Sequence, residues 1–464
     1  MTTPRDDKPY FEKEAKCPVC GEVTTHFYLR DYAYTIERKE EDLYISRYQW
    51  AKPEYQNYNI HYFYLWHCPR CQYTDERKMF ITNKPEAFKG GFGDVKKTLL
   101  TSNKGDNFIQ ELIHHISYPA ETFHSQFLLH LLSLYQQYFP PDYNRNYEKI
   151  GKLYLRLSWL FRQAKAQDNA DAEIEKDIQN YFELYNKLQA NLMNALHDLE
   201  NLHQWIENKI ADEKRNGHHF WKEHKREFHQ NYEWFVAIWD TALPLLQNYS
   251  NLGEKIQTAY SATHRNPVDA PFAGEPSFQG YLEKLKQQWA GVVSSEEEAI
   301  EKAIENFHLA VKSGIYDSKV SRYYAIMRLI VHLNQKLGRY GVALDRNHVL
   351  LDRLDYFENI LADRVKKATA LNAGATEIEK LNRNRMKIRE MIRDAREQRA
   401  AIQRLKLEAD EKRAREIFLA HRELSPQELA EVMRQNQIDE SIIRKFSEEL
   451  ATEKKKGLFQ LFKF

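Results

Sequence analysis

Cys17-Pro18-Val19-Cys20-Gly21 and, later in the chain, Cys68-Pro69-Arg70-Cys71-Gln72 are two copies of one motif, and they hold all four cysteines of the 464-residue sequence. A Cys-Pro-x-Cys turn points two thiolates at one ion while backbone N–H groups face the sulfurs. Gly21 suits the positive-φ residue in which such a turn ends. Two such knuckles make a tetrahedral four-thiolate zinc site with Cys17, Cys20, Cys68 and Cys71 as ligands. Three chemistries compete for the motif: structural zinc, a redox dithiol, and an iron–sulfur or catalytic metal site. The redox reading wants a βαβ setting that the flanking pattern does not supply. Four thiolates also fill zinc's coordination sphere. The expected work of one zinc per chain is therefore to fold residues 15–80 and not to bind substrate.

Between the knuckles, residues 21–67 carry 13 aromatic side chains. Tyr32, Tyr34 and Ile36 alternate with other residues, as do Tyr62, Tyr64 and Trp66, which predicts strands. A row of rings beside Arg70, Arg77 and Lys78 can stack single-stranded nucleic acid. A small metal-stapled sheet also needs rings for its limited core, and this is the preferred reading.

Cys17-Pro18-x-Cys20-Gly21, followed by Trp66-x-Cys68-Pro69-x-Cys71-x-Tyr73, resembles the bacterial domain of unknown function 2225. Leu153-Tyr154-Leu155-Arg156-Leu157-Ser158-Trp159-Leu160-Phe161-Arg162 is similar to that family's helix ending in Trp-x-x-Arg. The resemblance covers residues 15–165 and, more faintly, 295–365, with 170–280 reading as an insertion. It implies a zinc-knuckle module attached to tetratricopeptide-like helices, and it implies no activity. Gln72 stands where the family has glycine in the second knuckle.

Downstream the pattern turns helical. Residues 82–107, with Pro85, Gly90, Gly91, Gly93 and Gly105, read as a loop. Lys89-Gly90-Gly91-Phe92-Gly93 lacks the Gly-Lys-Ser/Thr of a phosphate-binding loop. Helices are predicted over 108–116, 120–138, which Pro119 opens, and 146–166. From Ile174 through Tyr181, Tyr185, Leu188, Leu192, Leu199 and Leu202 to Ile206, apolar residues step by four and three, a coiled-coil seam over 171–212. A second series from Phe228 through Tyr232 and Trp239 to Tyr249 returns after Asn216-Gly217, which predicts an antiparallel hairpin. Ser295 caps a helix to 312, a second runs over 319–337, and Leu337-Gly338-Arg339-Tyr340 resembles the turn of a tetratricopeptide unit. Residues 376–420 make a charged helix with Leu381, Ile388, Ala395, Ile402 and Ala409 every seven. Ser425-Pro426-Gln427-Glu428 opens a capped helix. A break near Asn436–Asp439 and a last helix follow.

The organisation expected is mainly α with a small N-terminal zinc-knuckle α+β head, a helical-repeat body and a long antiparallel coiled-coil hairpin. Its boundaries are 1–85 for the head, 105–166 for the first helical part and 171–257 for the hairpin. A linker takes 258–281, tetratricopeptide-like helices 282–370, the charged helix 376–420, and C-terminal helices with a basic-apolar tail 425–464.

Lys+Arg at 68 against Asp+Glu at 67 excludes a global electrostatic drive toward nucleic acid or anionic membrane. No apolar run reaches the roughly 18 residues that span a bilayer. Met1–Pro9 is polar, without an apolar signal core, so a cytoplasmic protein is expected. Four Glu-x-x-His pairs, Glu111/His114, Glu121/His124, Glu200/His203 and Glu305/His308, lack the further glutamates of a di-iron bundle. His218, His219, His224 and His229 do not share a helix face. The tail Lys454-Lys455-Lys456-Gly457-Leu458-Phe459-Gln460-Leu461-Phe462 places apolar side chains behind three lysines. Leu458, Phe459, Leu461 and Phe462 fold back on the chain, dock in a partner's groove or touch an anionic membrane. The reading of the whole is a non-enzymatic, zinc-containing scaffold that binds a protein partner, with self-association as a further outcome. The alternatives are a nucleic-acid-binding regulator using the zinc head and, more distantly, an enzyme without a recognisable motif.

Overall fold

Each knuckle is the turn of a two-stranded antiparallel ribbon. The computed structural model describes residues 8–55, 58–82, 91–101, 105–216, 220–263, 267–316, 319–371, 374–421 and 423–461. It divides into two units, one built from residues 1–159 and 288–464, the other from 160–287.

In the first unit, β1 (Tyr10–Lys16) pairs with β2 (Val23–Leu29), and the rung Lys16–Val23 brackets the first knuckle. β3 (Tyr34–Lys39) and β4 (Ile45–Trp50) form a ribbon whose register slips between Ile36 and Arg38. β5 (Leu65–His67) and β6 (Thr74–Glu76) end on the rung His67–Thr74, which brackets the second knuckle. Of the strand predicted through Tyr62, Tyr64 and Trp66, only the Trp66 end forms one, as β5; Ile60–Tyr62 is a 3-10 turn, because the Asn59 side chain accepts from the His61 N–H and caps it.

Isolated two-stranded ribbons are marginal, and rings fill the space between these three. Trp66 is fully buried, and its indole N–H donates to the Phe27 carbonyl at 2.9 Å. Tyr10 meets Phe27, Tyr58 and Phe63 edge-on or tilted. Short helices follow: α1 (Arg77–Ile81), α2 (Phe92–Thr101), α3 (Asn107–His114) and α4 (Phe123–Gln136). α2 lies where a loop was expected; Gly91 and Gly93 stand at its start and do not interrupt it. α4 begins at the Thr122 cap and not at Pro119, since Thr122 Oγ1 accepts from the Ser125 N–H. α4 is buried on nearly every side and lies in the core.

α5 (Tyr147–Asn216) is one helix, without the break expected between 166 and 171. Gln167-Asp168-Asn169-Ala170 contains no Gly or Pro, so nothing local ends it. The rest of the first unit comes from α8 (Glu296–Lys312), α9 (Val320–Lys336), α10 (Tyr340–Ala370), α11 (Ala375–Ala420), α12 (Pro426–Gln435) and α13 (Glu440–Leu461). Ser295 caps α8, and Ser425 with Glu428 forms the capping box of α12, as their sequences predict. In α11 the heptad residues Ile388, Ala395 and Ile402 are buried, and α10 packs along that helix. Phe418, Leu429, Met433, Ile443 and Phe446 close α11–α13 into a local core.

The two stretches of this unit meet at polar contacts. Glu148 accepts from the Tyr316 hydroxyl at 2.6 Å and pairs with Arg322 at 2.7 Å and Lys152 at 2.6 Å. Burial works against its charge, but these three donors hold the Glu148 carboxyl down to about 2. Lys336 pairs with Glu40 at 3.1 Å, and His332 lies 3.3 Å from Glu41.

The second unit holds α5 from residue 160, α6 (Phe220–Thr263) and most of α7 (Phe278–Gln288). α7 begins inside the expected 258–281 linker, and α6 runs into it from the other side. α5 and α6 run antiparallel: Glu207 pairs with Lys225 at 3.1 Å, while the earlier His203 stacks on the later Tyr232.

The buried side of α5 takes only one of the two predicted heptad positions. Tyr185 and Ile206 are buried and Leu192 and Leu199 half-buried, whereas Leu188 is 50% and Leu202 45% exposed. Tyr249 of the return series is exposed as well. The inward face steps on to Gln189 and His203, not to Leu188 and Leu202, which rotates the seam toward one edge of the apolar stripe. The side chains of Ile174, Ile178, Phe228 and Trp239 lie outside the described residues. So do residues 454–464 as side chains, and with them the whole proposed tail motif of Lys454, Lys455, Lys456, Leu458, Phe459, Leu461 and Phe462. No described helix is long and apolar enough to cross a membrane.

Candidate metal centre

The two knuckles are built alike. In the first, the Cys17 N–H donates to the Glu22 carbonyl at 2.7 Å and the Gly21 N–H to the Cys17 carbonyl at 3.0 Å. In the second, the Cys68 N–H donates to the Tyr73 carbonyl at 2.8 Å and the Gln72 N–H to the Cys68 carbonyl at 2.8 Å. Both turns end in a left-handed residue, Gly21 at φ 77° and Gln72 at φ 64°. The substitution of glycine by Gln72 thus leaves the turn intact. Its side-chain amide donates to the Pro69 carbonyl at 2.7 Å, and its own carbonyl accepts from the Gln136 amide at 2.6 Å. Gln136 Oε1 accepts in turn from the Thr74 N–H at 3.0 Å, so the end of α4 holds both sides of this residue. These contacts offset the cost of about 1 kcal/mol that a Cβ brings to a left-handed position.

All four Sγ atoms lie within 4.8 Å of one another, with Cys17–Cys71 and Cys20–Cys68 each at 3.6 Å. A disulfide needs about 2.05 Å, so these are free thiols. Sulfurs about 2.3 Å from a tetrahedral ion stand roughly 3.8 Å apart. The donor set therefore fits a thiophilic metal ion. Backbone N–H groups of Val19 and Cys20 face Cys17, and those of Arg70 and Cys71 face Cys68. A hydrogen bond with Cys68, and then burial, pushes the Cys17 thiol up to about 12. The same kind of contact with Cys17 and Cys68 raises Cys71, while contacts with Cys17 and Cys71 lower Cys68. A bound divalent cation would supply the charge that lets all four ionise together.

Behind the second knuckle, Tyr73 is buried and its hydroxyl donates to Asp75 at 2.5 Å. Asp75, also buried, pairs with Lys149 at the start of α5. Arg156, in the helix with the family-like Leu-Tyr-Leu-Arg pattern, is half-buried with its guanidinium over the Tyr64 ring, and Trp159 packs on Tyr44 and His61. Gln136, Asp75 and Lys149 carry no motif that would have singled them out; only their place behind the knuckle does.

Elsewhere the predicted site residues scatter. Arg70 pairs with Glu22, Lys78 with Glu76, and Arg77 sits 4.5 Å over the Tyr28 ring. The rings of Trp66, Tyr73, Tyr10, Tyr44 and Tyr55 are buried in the core. The Glu-x-x-His pairs do not converge: Glu121 accepts from Tyr10 at 2.7 Å, and Glu305 pairs with Lys302 at 3.3 Å. Among the described residues, one other group of potential ligands gathers, His203, Glu207 and His229. The spacing of His203 and Glu207 was readable as one helix face. That His229 lies opposite them was not, because it depends on the axial register of α6.

The family described as an uncharacterized protein conserved in bacteria, domain of unknown function 2225, matches residues 10–258, and the chain belongs to it. The match includes both knuckles and ends at residue 258, and the fainter stretch 295–365 falls outside it. No curated protein and no solved structure matches the chain.

Proposed function

We propose that this protein is a non-enzymatic adaptor of the cytoplasm, in which a structural zinc ion on Cys17, Cys20, Cys68 and Cys71 sets the head and the helical body binds an acidic segment of a protein partner. The observation that carries the reading is a groove of about 830 Å³ along α9, α10 and α11. Lys319, Arg322, Arg353, Arg364 and Lys387 line it together with Phe357, Ile360, Ile388 and Met391, and no carboxylate is among its lining residues. Arg353 lies over the rings of Tyr356 and Phe357, at 5.5 and 4.9 Å, which holds its charge beside the apolar surface. An amphipathic helix with acidic flanks complements such a lining in both shape and charge.

We read α8–α11 as degenerate tetratricopeptide-like hairpins and α5–α6 as a coiled-coil hairpin that adds a second contact surface. The head supports a protein partner over nucleic acid. Among the described residues, its basic residues Arg70, Arg77 and Lys78 each engage a group within the chain, and Tyr10, Tyr44, Tyr55, Trp66 and Tyr73 are buried, which reduces the basic, aromatic surface left for stacking bases.

The test is fluorescence anisotropy with three probes: an acidic amphipathic peptide, its charge-reversed counterpart and a single-stranded oligonucleotide of equal negative charge. The acidic peptide is expected to bind, and Arg364→Glu with Lys387→Glu to weaken it about tenfold, the scale of two partly screened charge contacts. Tighter binding of the oligonucleotide, or binding of the acidic peptide unaffected by the charge reversal, overturns the reading.

A further inference from the structure

The second unit brings three metal-ligating side chains together from two helices. His203 and Glu207 stand four residues apart on α5, so they share one face. His229 reaches the same point from α6, and the ligand atoms of the three all lie within 4.8 Å of one another. The His203 ring is already fixed, stacked on Tyr232 with centroids 4.2 Å apart and on His229 at 5.6 Å. His229 Nε2 lies 3.4 Å from Glu233, four residues on along α6. That is the carboxylate–imidazole support that orients metal-bound histidines. The group is half-exposed, so an ion can reach it from solvent.

From this geometry we infer that His203, Glu207 and His229 form a divalent transition-metal site, of the zinc class, that clamps α5 to α6. Two imidazoles and one carboxylate select zinc or a neighbouring late first-row ion over calcium and magnesium, which take oxygen shells. Ligands about 2.0–2.2 Å from such an ion stand roughly 3.3 Å apart, so small side-chain rotations close the present spacing. Three protein ligands leave one position, which water takes. Lys225 now pairs with Glu207 at 3.1 Å, and a bound ion displaces that ammonium from the carboxylate. The ligands are histidine and carboxylate on helices, where the knuckles use thiolates in turns. The clamp is therefore a site of different chemistry from the four-cysteine centre and independent of it.

The full-length protein, carrying one tightly held zinc, is titrated with Co²⁺. A second ion is expected to bind with weak visible d–d absorption and without a thiolate-to-cobalt charge-transfer band. His203→Ala and His229→Ala are each expected to weaken it by more than about 100-fold, and Glu233→Gln by about tenfold. Lys225→Met is expected to tighten it, because it removes the competing cation. Far-UV circular dichroism checks that the alanine variants keep their helices. If either loses helicity, the Lys225→Met comparison decides alone: a gain in affinity supports the site, and no gain overturns it. Absence of a second ion, a second ion with a thiolate band, or a second ion indifferent to both histidine substitutions also overturns it.

Discussion

The head around the knuckles and the α5–α6 hairpin solve the same problem, how to hold two antiparallel segments together, by opposite means. The head's three ribbons are isolated two-stranded pairs, and the one that carries the second knuckle, β5–β6, has three residue pairs. Backbone pairing at that length cannot carry a fold, so thiolates and buried rings take its place. The hairpin satisfies its backbone within each helix and leaves the pairing to side chains. There the seam takes one edge of a wide apolar stripe, and Leu184, Leu188, Leu202 and Trp205 remain exposed. On the proposed zinc reading, the difference teaches that order in the head is tied to one chemical event, ligation of four sulfurs. Order in the hairpin is spread over many weak contacts and adjusts by rotation.

Removing one sulfur tests that contrast most strongly. Cys68→Ser is expected to unfold the head, since structural zinc linked to folding is worth on the order of 10 kcal/mol. The near-ultraviolet signal of the rings around Trp66 and Tyr73 should collapse while most far-ultraviolet helicity persists. Loss of the whole helical signal would mean that the two regions fold as one, and the contrast would fail.

A smaller effect is expected from a charge in the hairpin seam. Ile206 is 6% exposed, and Ile206→Asp should cost about 3 kcal/mol by burying an unpaired carboxylate. Leu188→Asp, on the same helix but outside the seam, should change stability by less than about 0.5 kcal/mol. Urea titrations followed by circular dichroism measure both, and equal costs would restore the seam that the heptad pattern predicts.

Acid probes the first unit through its core. Burial lowers the pKa of His130 to about 3, and its Nδ1 lies 2.7 Å from the Gln126 carbonyl. The unfolded chain takes up this proton near pH 6.5 and the folded chain does not. His130 thus contributes stability that is fully present above pH 6.5 and is lost as pH falls toward 3, at up to about 1.4 kcal/mol per unit. The slope between pH 6.5 and 5, measured on the zinc-replete protein, should flatten in His130→Gln. Burial likewise lowers His308, to about 4, but solvent reaches that ring and screens its share.

The smallest expected effect separates the two knuckles. Gly21→Ala places a Cβ at φ 77° with only Lys16 Cε nearby, 3.5 Å away. The cost should be the left-handed penalty alone, about 1 kcal/mol. Gln72→Gly removes that penalty but also the hydrogen bond to Pro69, and should be near neutral. Thermal midpoints of the zinc-bound forms measure the pair; a large loss in Gln72→Gly would show that Gln72 does more than fill the turn.

What the sequence by itself determined lies within a few residues along the chain. The Cys-Pro-x-Cys turns, the Ser295 cap, the Ser425–Glu428 capping box and the buried heptad residues Ile388, Ala395 and Ile402 all follow from local geometry. Thiolate chemistry and unsatisfied helix ends act over one turn and need no partner. Only the tertiary structure decided that Gln136 holds Gln72, that Glu148 gathers Tyr316, Arg322 and Lys152, and that His229 faces His203 and Glu207. It also decided that Ile206 rather than Leu202 turns inward. An apolar stripe more than about 100° wide allows several helix rotations of similar burial. Which rotation is taken, and which residues then meet across the gap, depends on the axial register of the partner helix, and periodicity along one helix does not contain it.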